Sequence, residues 1–124
     1  MTQTIMYKDE SYEIVGAAIE VWRKLGYGFL EKVYENSLAV ELEKRAIHFE
    51  QQKPIKVHYE GRIVGDYIAD IIVDEKILLE LKSAQAISDS FVAQTLNYLK
   101  ATGIRLGIIL NFGPEKMESK RVIF

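Results

Sequence analysis

The sequence has no cysteine, which removes disulfides, thiolate zinc sites, cysteine-ligated iron–sulfur clusters and thiol nucleophiles in one step. Any chemistry here must use oxygen and nitrogen groups. A basic excess is also missing: 16 Lys and Arg stand against 18 Asp and Glu, a formal charge of -2. No charge field therefore announces binding to nucleic acid or an anionic membrane, and a phosphate would have to be held locally. No window approaches the ~18 consecutive apolar residues of a membrane span. Residues 1–10 lack the basic start and apolar run of a secretory leader, so the sequence predicts a soluble, cytoplasmic protein. There is no repeat and no low-complexity stretch, and with only 2 prolines no linker divides the chain.

What is present is one domain's worth of core. The chain has 124 residues, 48% hydrophobic and 27% charged, and a chain of this size buries roughly two thirds of its unfolded surface. That is enough for one hydrophobic core and excludes a two-domain enzyme. Residues 1–8 are expected to form a loose N-terminal tail, and residues 9–124 a single domain.

From Ser11 to Leu25, the residues Ile14, Ala18, Val21, Trp22 and Leu25 recur at helical spacing, and Gly26-Tyr27-Gly28 closes the segment. Leu30 to about Ala46 repeats the pattern with Leu30, Val33, Tyr34, Leu38 and Leu42. Beyond Ile47 the period becomes two: Ile55, Val57 and Tyr59 alternate with Lys56 and His58, a half-buried strand. Ile63 to Val73 and Ile77 to Leu81 are almost continuously apolar and β-branched, as expected of central strands covered on both faces, and Asp74-Glu75-Lys76 is the turn between them. Ser88 can cap a third helix that runs to about Thr102, with Gly103 as its stop. Strands follow near Leu106 to Phe112 and Lys120 to Phe124. The order α-α-β-β-β-α-β-β describes a mixed central β-sheet flanked by helices.

The informative residues are charges inside apolar strands: Asp70, Glu80 and Lys82. Charged groups are rarely buried unless paired or metal-bound. With a turn at residues 74–76, Val73 faces Ile77 and the same register sets Asp70 across from Glu80. Cross-strand β-carbons lie about 4.5–5.5 Å apart, close enough for two carboxylates to share a hard divalent cation. Glu80 and Lys82 project from one face, so the three groups converge on what metal-assisted attack of water on a phosphodiester requires. An acid-x-Lys triplet also occurs at residues 74–76 and 118–120, so only its place in an apolar strand distinguishes the middle one. A structural ion pair is the alternative reading.

A wheel of the second helix sets Glu31 between Leu38 and Leu42, facing the sheet. Glu41 shares that stripe, and solvent exposure near the helix end is the alternative. On the third helix Gln94 and Tyr98, four residues apart, share the margin of the apolar face. They can orient water or phosphate, or simply pack at the boundary. His48 and His58 lack ligand spacing with one another and read as surface strand residues.

Together, Gly28-Phe29-Leu30-Glu31-Lys32-Val33-Tyr34 resembles the G-x-x-E-x-x-Y signature of the bacterial and archaeal GxxExxY proteins, a branch of the PD-(D/E)XK nuclease superfamily. Asp70 resembles the superfamily's metal-binding aspartate, Glu80-Leu81-Lys82 its (D/E)-x-K element, and Gln94-Thr95-Leu96-Asn97-Tyr98 the Q-x-x-x-Y motif of recombination helicase-nuclease domains. The match covers about residues 10–124, with Ala69 where the superfamily name has proline.

The resemblance implies a restriction-endonuclease-like core over residues 9–124 and a nuclease that hydrolyses phosphodiester bonds of DNA, or of RNA as the second choice. Asp70, Glu80 and Glu31 would be the acidic, metal-holding residues for Mg2+ or Mn2+. Lys82 would position the attacking water, and Gln94 and Tyr98 would orient the site or substrate. Gly28 would let the chain turn into the second helix, and Tyr34 either bonds near the site or packs in the core. Two other readings compete. One is a non-catalytic binding or assembly module with a structural acidic cluster, including a homodimer or partner complex paired through the terminal strand. The other is a hydrolase of small phosphate esters, which lacks a glycine-rich phosphate loop.

Overall fold

A computed structural model describes residues 5–124. The elements are α1 (Lys8–Leu25), α2 (Glu31–Lys44), β1 (Phe49–Tyr59), β2 (Arg62–Val73), β3 (Ile77–Lys82), α3 (Asp89–Thr102), β4 (Leu106–Phe112) and β5 (Met117–Ile123), the order expected from the sequence. Of the expected N-terminal tail, residues 1–4 lie outside the described residues. Met6 and Tyr7 pack against the core, and Lys8 opens α1.

The five strands form one sheet in the order β1-β2-β3-β4-β5. All neighbours are antiparallel except β3 and β4. A parallel pair needs a crossover, and α3 supplies it, so α3 covers one face while α1 and α2 cover the other. Strand alternation divides the core accordingly. Ile71, Val73, Leu79, Leu81, Ile108 and Leu110 meet Ile14, Val21, Tyr34 and Leu38 on the α1/α2 side. Ile72, Leu78 and Ile109 meet Tyr98 and Leu99 on the α3 side. Each such fully buried aliphatic or aromatic side chain contributes about 1.5–3 kcal/mol.

α1 starts at Lys8, three residues before the expected Ser11, because Asp9 and Glu10 suit its first turn. Ser11 is buried and accepts a hydrogen bond from Arg121 on β5. α3 lies close to the sheet because β4 carries Gly107 beneath it. A β-carbon on Gly107 would sit 2.7 Å from Thr95 Cγ2.

Three expectations about these elements need correction. Leu30 and Val33 fall at helical spacing on the apolar stripe of α2, but both are exposed, Leu30 by 80%. Leu30 lies outside the helix as its N-cap, and Val33 points away from the core-facing line of Tyr34, Leu38 and Leu42. β2 is covered on both faces only at its C-terminal end. Ile63, Val64, Tyr67 and Ile68 are exposed, because β2 pairs with β3 only from Ile71 to Val73 and continues as a two-stranded ribbon with β1. The last strand begins at Met117 rather than Lys120. No helix among the described residues is long and apolar enough to cross a membrane.

Candidate active site

The site lies where β2 leaves β3. Their ladder reaches Ile71↔Leu79 and stops, so the next residues out on that register are Asp70 and Glu80, as the turn length predicts. By alternation with Leu78, Glu80 projects onto the α3 face. Alternation breaks at Asp70, where Ala69 and Ile72 on either side both belong to the α3-side core, and Glu35 and Glu31 of α2 are the foremost charges acting on the carboxyl. The Leu81 amide, on the side β2 has vacated, donates to Asp70 Oδ2 at 2.8 Å. Asp70 thus holds the fork open with its own carboxylate.

Glu80 is 4% exposed, and its Oε1 is buried with no hydrogen-bond partner. Burial foremost, and then the Asp70 charge, pushes its carboxyl pKa up to about 8. Lys82 and the Asp70 amide oppose that rise. Burial likewise raises Asp70, against the Leu81 hydrogen bond, with Glu35 and Glu31 adding repulsion. A carboxylate pair without enough positive charge and with an orphaned oxygen is the arrangement that a divalent cation relieves. The residues present fit one.

Lys82 departs from the expected convergence. No ion pair joins it to Asp70 or Glu80. Its ammonium donates to Gln94 Oε1 at 3.0 Å and sits 4.7 Å from the Phe91 ring centroid. Gln94 Nε2 in turn donates to the Tyr98 hydroxyl at 3.1 Å. Because that hydroxyl accepts from Gln94, its own proton is free for another acceptor. Burial, followed by the Glu80 charge, raises the Tyr98 pKa, so the phenol stays protonated.

Glu31 opens α2 and is exposed rather than buried against the sheet. It is close enough to add repulsion to both Asp70 and Glu80. Among the described residues no three His, Asp or Glu side chains group as a metal-ligand set, so the structure brings together Asp70 and Glu80 without Glu31. Gly28 has φ 114, a conformation suited to glycine, and carries the chain into α2. Tyr34 takes the packing role. Fully buried, it stacks on Phe112 with centroids 4.4 Å apart, donates to the Gly26 carbonyl at 2.5 Å and accepts from the Phe29 amide at 3.3 Å. It fixes the glycine loop rather than touching substrate. His58 is an exposed strand residue, as expected, while His48 is exposed but lies just before β1 rather than in it.

Two residues escaped the sequence reading. Glu35, 3% exposed, is the largest charge raising Asp70. Its oxygens accept from Gln51 and Gln52, each at 2.7 Å, and from Lys32 at 3.2 Å. Gln52 stands across from Asp70, between the pairs Gln51↔Ile71 and Lys53↔Ala69, with φ 54. The helical wheel held the signal, since Glu35 lies only about 40° from Glu31 at 3.6 residues per turn. Asn111, fully buried on β4, accepts from the Ala84 amide at 2.8 Å and donates to the Ala84 carbonyl at 3.0 Å. It pins the segment that follows Lys82.

A family profile described as the PD-(D/E)XK nuclease superfamily matches residues 8–122. No curated protein matches the chain. Among solved structures, the crystal structure of SSO0001 aligns at 17% identity with a TM-score of 0.60, covering 94% of this chain and 59% of that one. An alkaline exonuclease (LHK-Exo) from Laribacter hongkongensis aligns at 12% identity with a TM-score of 0.56, covering 98% of this chain and 72% of that one. These likenesses are of fold, and this chain spans less than two thirds of SSO0001.

Proposed function

The chain belongs to the PD-(D/E)XK nuclease superfamily, and from that premise we propose that it is a divalent-metal-dependent nuclease acting on nucleic acid, DNA before RNA, at Asp70, Glu80 and Lys82. Gly28, Glu31 and Tyr34 support a place in the GxxExxY branch, with residues 9–124 as the nuclease domain. The observation that carries this reading is Glu80, a buried carboxylate whose Oε1 has no partner. A structural ion pair predicts a paired charge, yet Lys82 turns to Gln94 instead. That difference favours the nuclease over a non-catalytic module with a structural acidic cluster.

Asp70 and Glu80 would hold Mg2+ or Mn2+, with Glu31 at the mouth as a further acid. The cation would polarise a phosphoryl oxygen and acidify water. Lys82 positions the attacking water with the ammonium protons that Gln94 leaves free. Tyr98, its oxygen occupied by Gln94, presents its hydroxyl proton to a non-bridging phosphate oxygen. Gln94 fixes both and so acts as a positioning residue. Cytoplasmic action and assembly as a homodimer or with a partner protein belong to the same reading, the outer edge of β5 being the strand that could pair.

The test is a cleavage panel of single-stranded, duplex and branched DNA and RNA in Mg2+, Mn2+ or EDTA. Metal-dependent cleavage of at least one substrate is expected. Absence of cleavage throughout, with no metal binding by calorimetry, would overturn the reading in favour of the module.

A further inference from the structure

Beside the candidate site, a groove of about 780 Å³ runs between α3 and the projecting β1–β2 ribbon, within the roughly 300–1,000 Å³ range of small-ligand sites. It is continuous with the site because Gln94 and Tyr98 line both. The ribbon contributes His58 and Tyr67 to its wall, and α3 contributes Asn97 and Lys100.

Several polar groups of this wall have no structural employment. Among the described residues, His58, Asn97 and Lys100 make no side-chain hydrogen bond or ion pair, and all three are exposed. Tyr67 is 49% exposed. Its ring leans on Tyr98 with centroids 5.3 Å apart and a 52° tilt, which holds it at the groove without covering it.

Charge decides what such a groove can bind. Duplex affinity comes mainly from neutralising phosphates along both strands, and this groove offers only Lys100 and the nearby Lys82 in a chain of net charge -2. The remaining source of affinity is stacking on an aromatic ring, which a base provides only when it is out of a duplex. Resting on the nuclease reading above, we propose that the groove is a subsite for one unpaired nucleic-acid strand. A base stacks on Tyr67, Asn97 bonds its edge, and Lys100 meets the backbone phosphate next to the one that Lys82 and Tyr98 address.

The test is anisotropy binding in EDTA with labelled oligodeoxyuridylate, oligouridylate and a blunt duplex of equal length. Both single strands should bind at least tenfold tighter than the duplex, and the difference between them reads the sugar preference. Tyr67→Ala should weaken strand binding about tenfold while Tyr67→Phe leaves it unchanged. Lys100→Gln should reduce the slope of log affinity on log salt by about 0.7, a slope that Tyr67→Ala does not alter. Because Tyr67 rests on Tyr98, the exposed Asn97→Ala is the second variant, expected to weaken strand binding severalfold.

Equal or tighter duplex binding, or strand binding indifferent to Tyr67→Ala and Asn97→Ala in folded protein, overturns the subsite. Cleavage assayed in parallel separates the two ideas. Cleavage without strand preference refutes the groove and leaves the nuclease standing. Tyr67-dependent strand binding without cleavage in any metal does the reverse.

Discussion

Glu80→Gln should make the metal-free protein more stable at alkaline pH and change it little at acid pH. In the native state burial and the neighbouring Asp70 hold the Glu80 carboxyl at a pKa of about 8, against 4.5 in the unfolded chain. The native state therefore binds more protons than the unfolded state between those values, so stability falls as pH rises through the window and levels off above about 8. At 1.36 kcal/mol per pH unit the gap between 4.5 and about 8 sets a ceiling of about 5 kcal/mol. Relaxation and water penetration lower such ceilings, and an effect of about 2–3 kcal/mol is expected. A glutamine imitates the protonated acid and carries no such penalty. Thermal melts of both proteins in EDTA should coincide near pH 5 and diverge steadily, with the variant melting roughly 10 °C higher by pH 9, on about 4 °C per kcal/mol for a domain this size. Mn2+ should raise the wild-type melting temperature most at high pH and the variant's little. Parallel pH profiles for the two proteins would refute the reasoning, because Glu80 would then carry no buried penalty for a cation to relieve.

Other parts of the site give sharper local outcomes. Tyr34→Phe removes the hydroxyl that joins Gly26 and Phe29 and should cost about 1–2 kcal/mol in urea unfolding, with the ring stack on Phe112 retained. Asn111→Leu strands both backbone groups of Ala84 and should cost about 2–3 kcal/mol while loosening the segment after Lys82, visible as faster amide exchange there. Gly107→Ala pushes α3 off the sheet through the Thr95 contact, costing about 1–3 kcal/mol and lowering cleavage by separating Gln94 from Lys82.

Much of the site was legible because short-range rules govern it. A tight turn at residues 74–76 sets the register that puts Asp70 and Glu80 at the end of the β2–β3 ladder, and strand alternation sets the shared face of Glu80 and Lys82. The Gln94 to Tyr98 spacing on a helix then brings a second layer over them. What was illegible depends on length mismatch and on flexible side chains. Nothing in the apolar run from Ile63 shows that β3 is too short to cover it, so the ribbon and its groove emerge only from the fold. Alternation tells which face Lys82 leaves from, but four methylenes let its ammonium reach Gln94 rather than the carboxylates. Glu35 sits on the same wheel face as Glu31, and only burial depth separates the acid inside from the acid at the helix mouth.

The most direct measurement is Mn2+-dependent cleavage by wild type and Lys82→Ala under conditions where both are folded. Lys82 is half-buried and makes no ion pair with Asp70 or Glu80, so the substitution should leave the melting temperature close to wild type. Mn2+ binding should be no weaker, since the substitution removes a positive charge that acts on both carboxyls. Cleavage should fall by at least a hundredfold, the lower end of what a positioned catalytic group contributes, about 10²–10⁴-fold. Cleavage that survives Lys82→Ala undiminished would contradict the account.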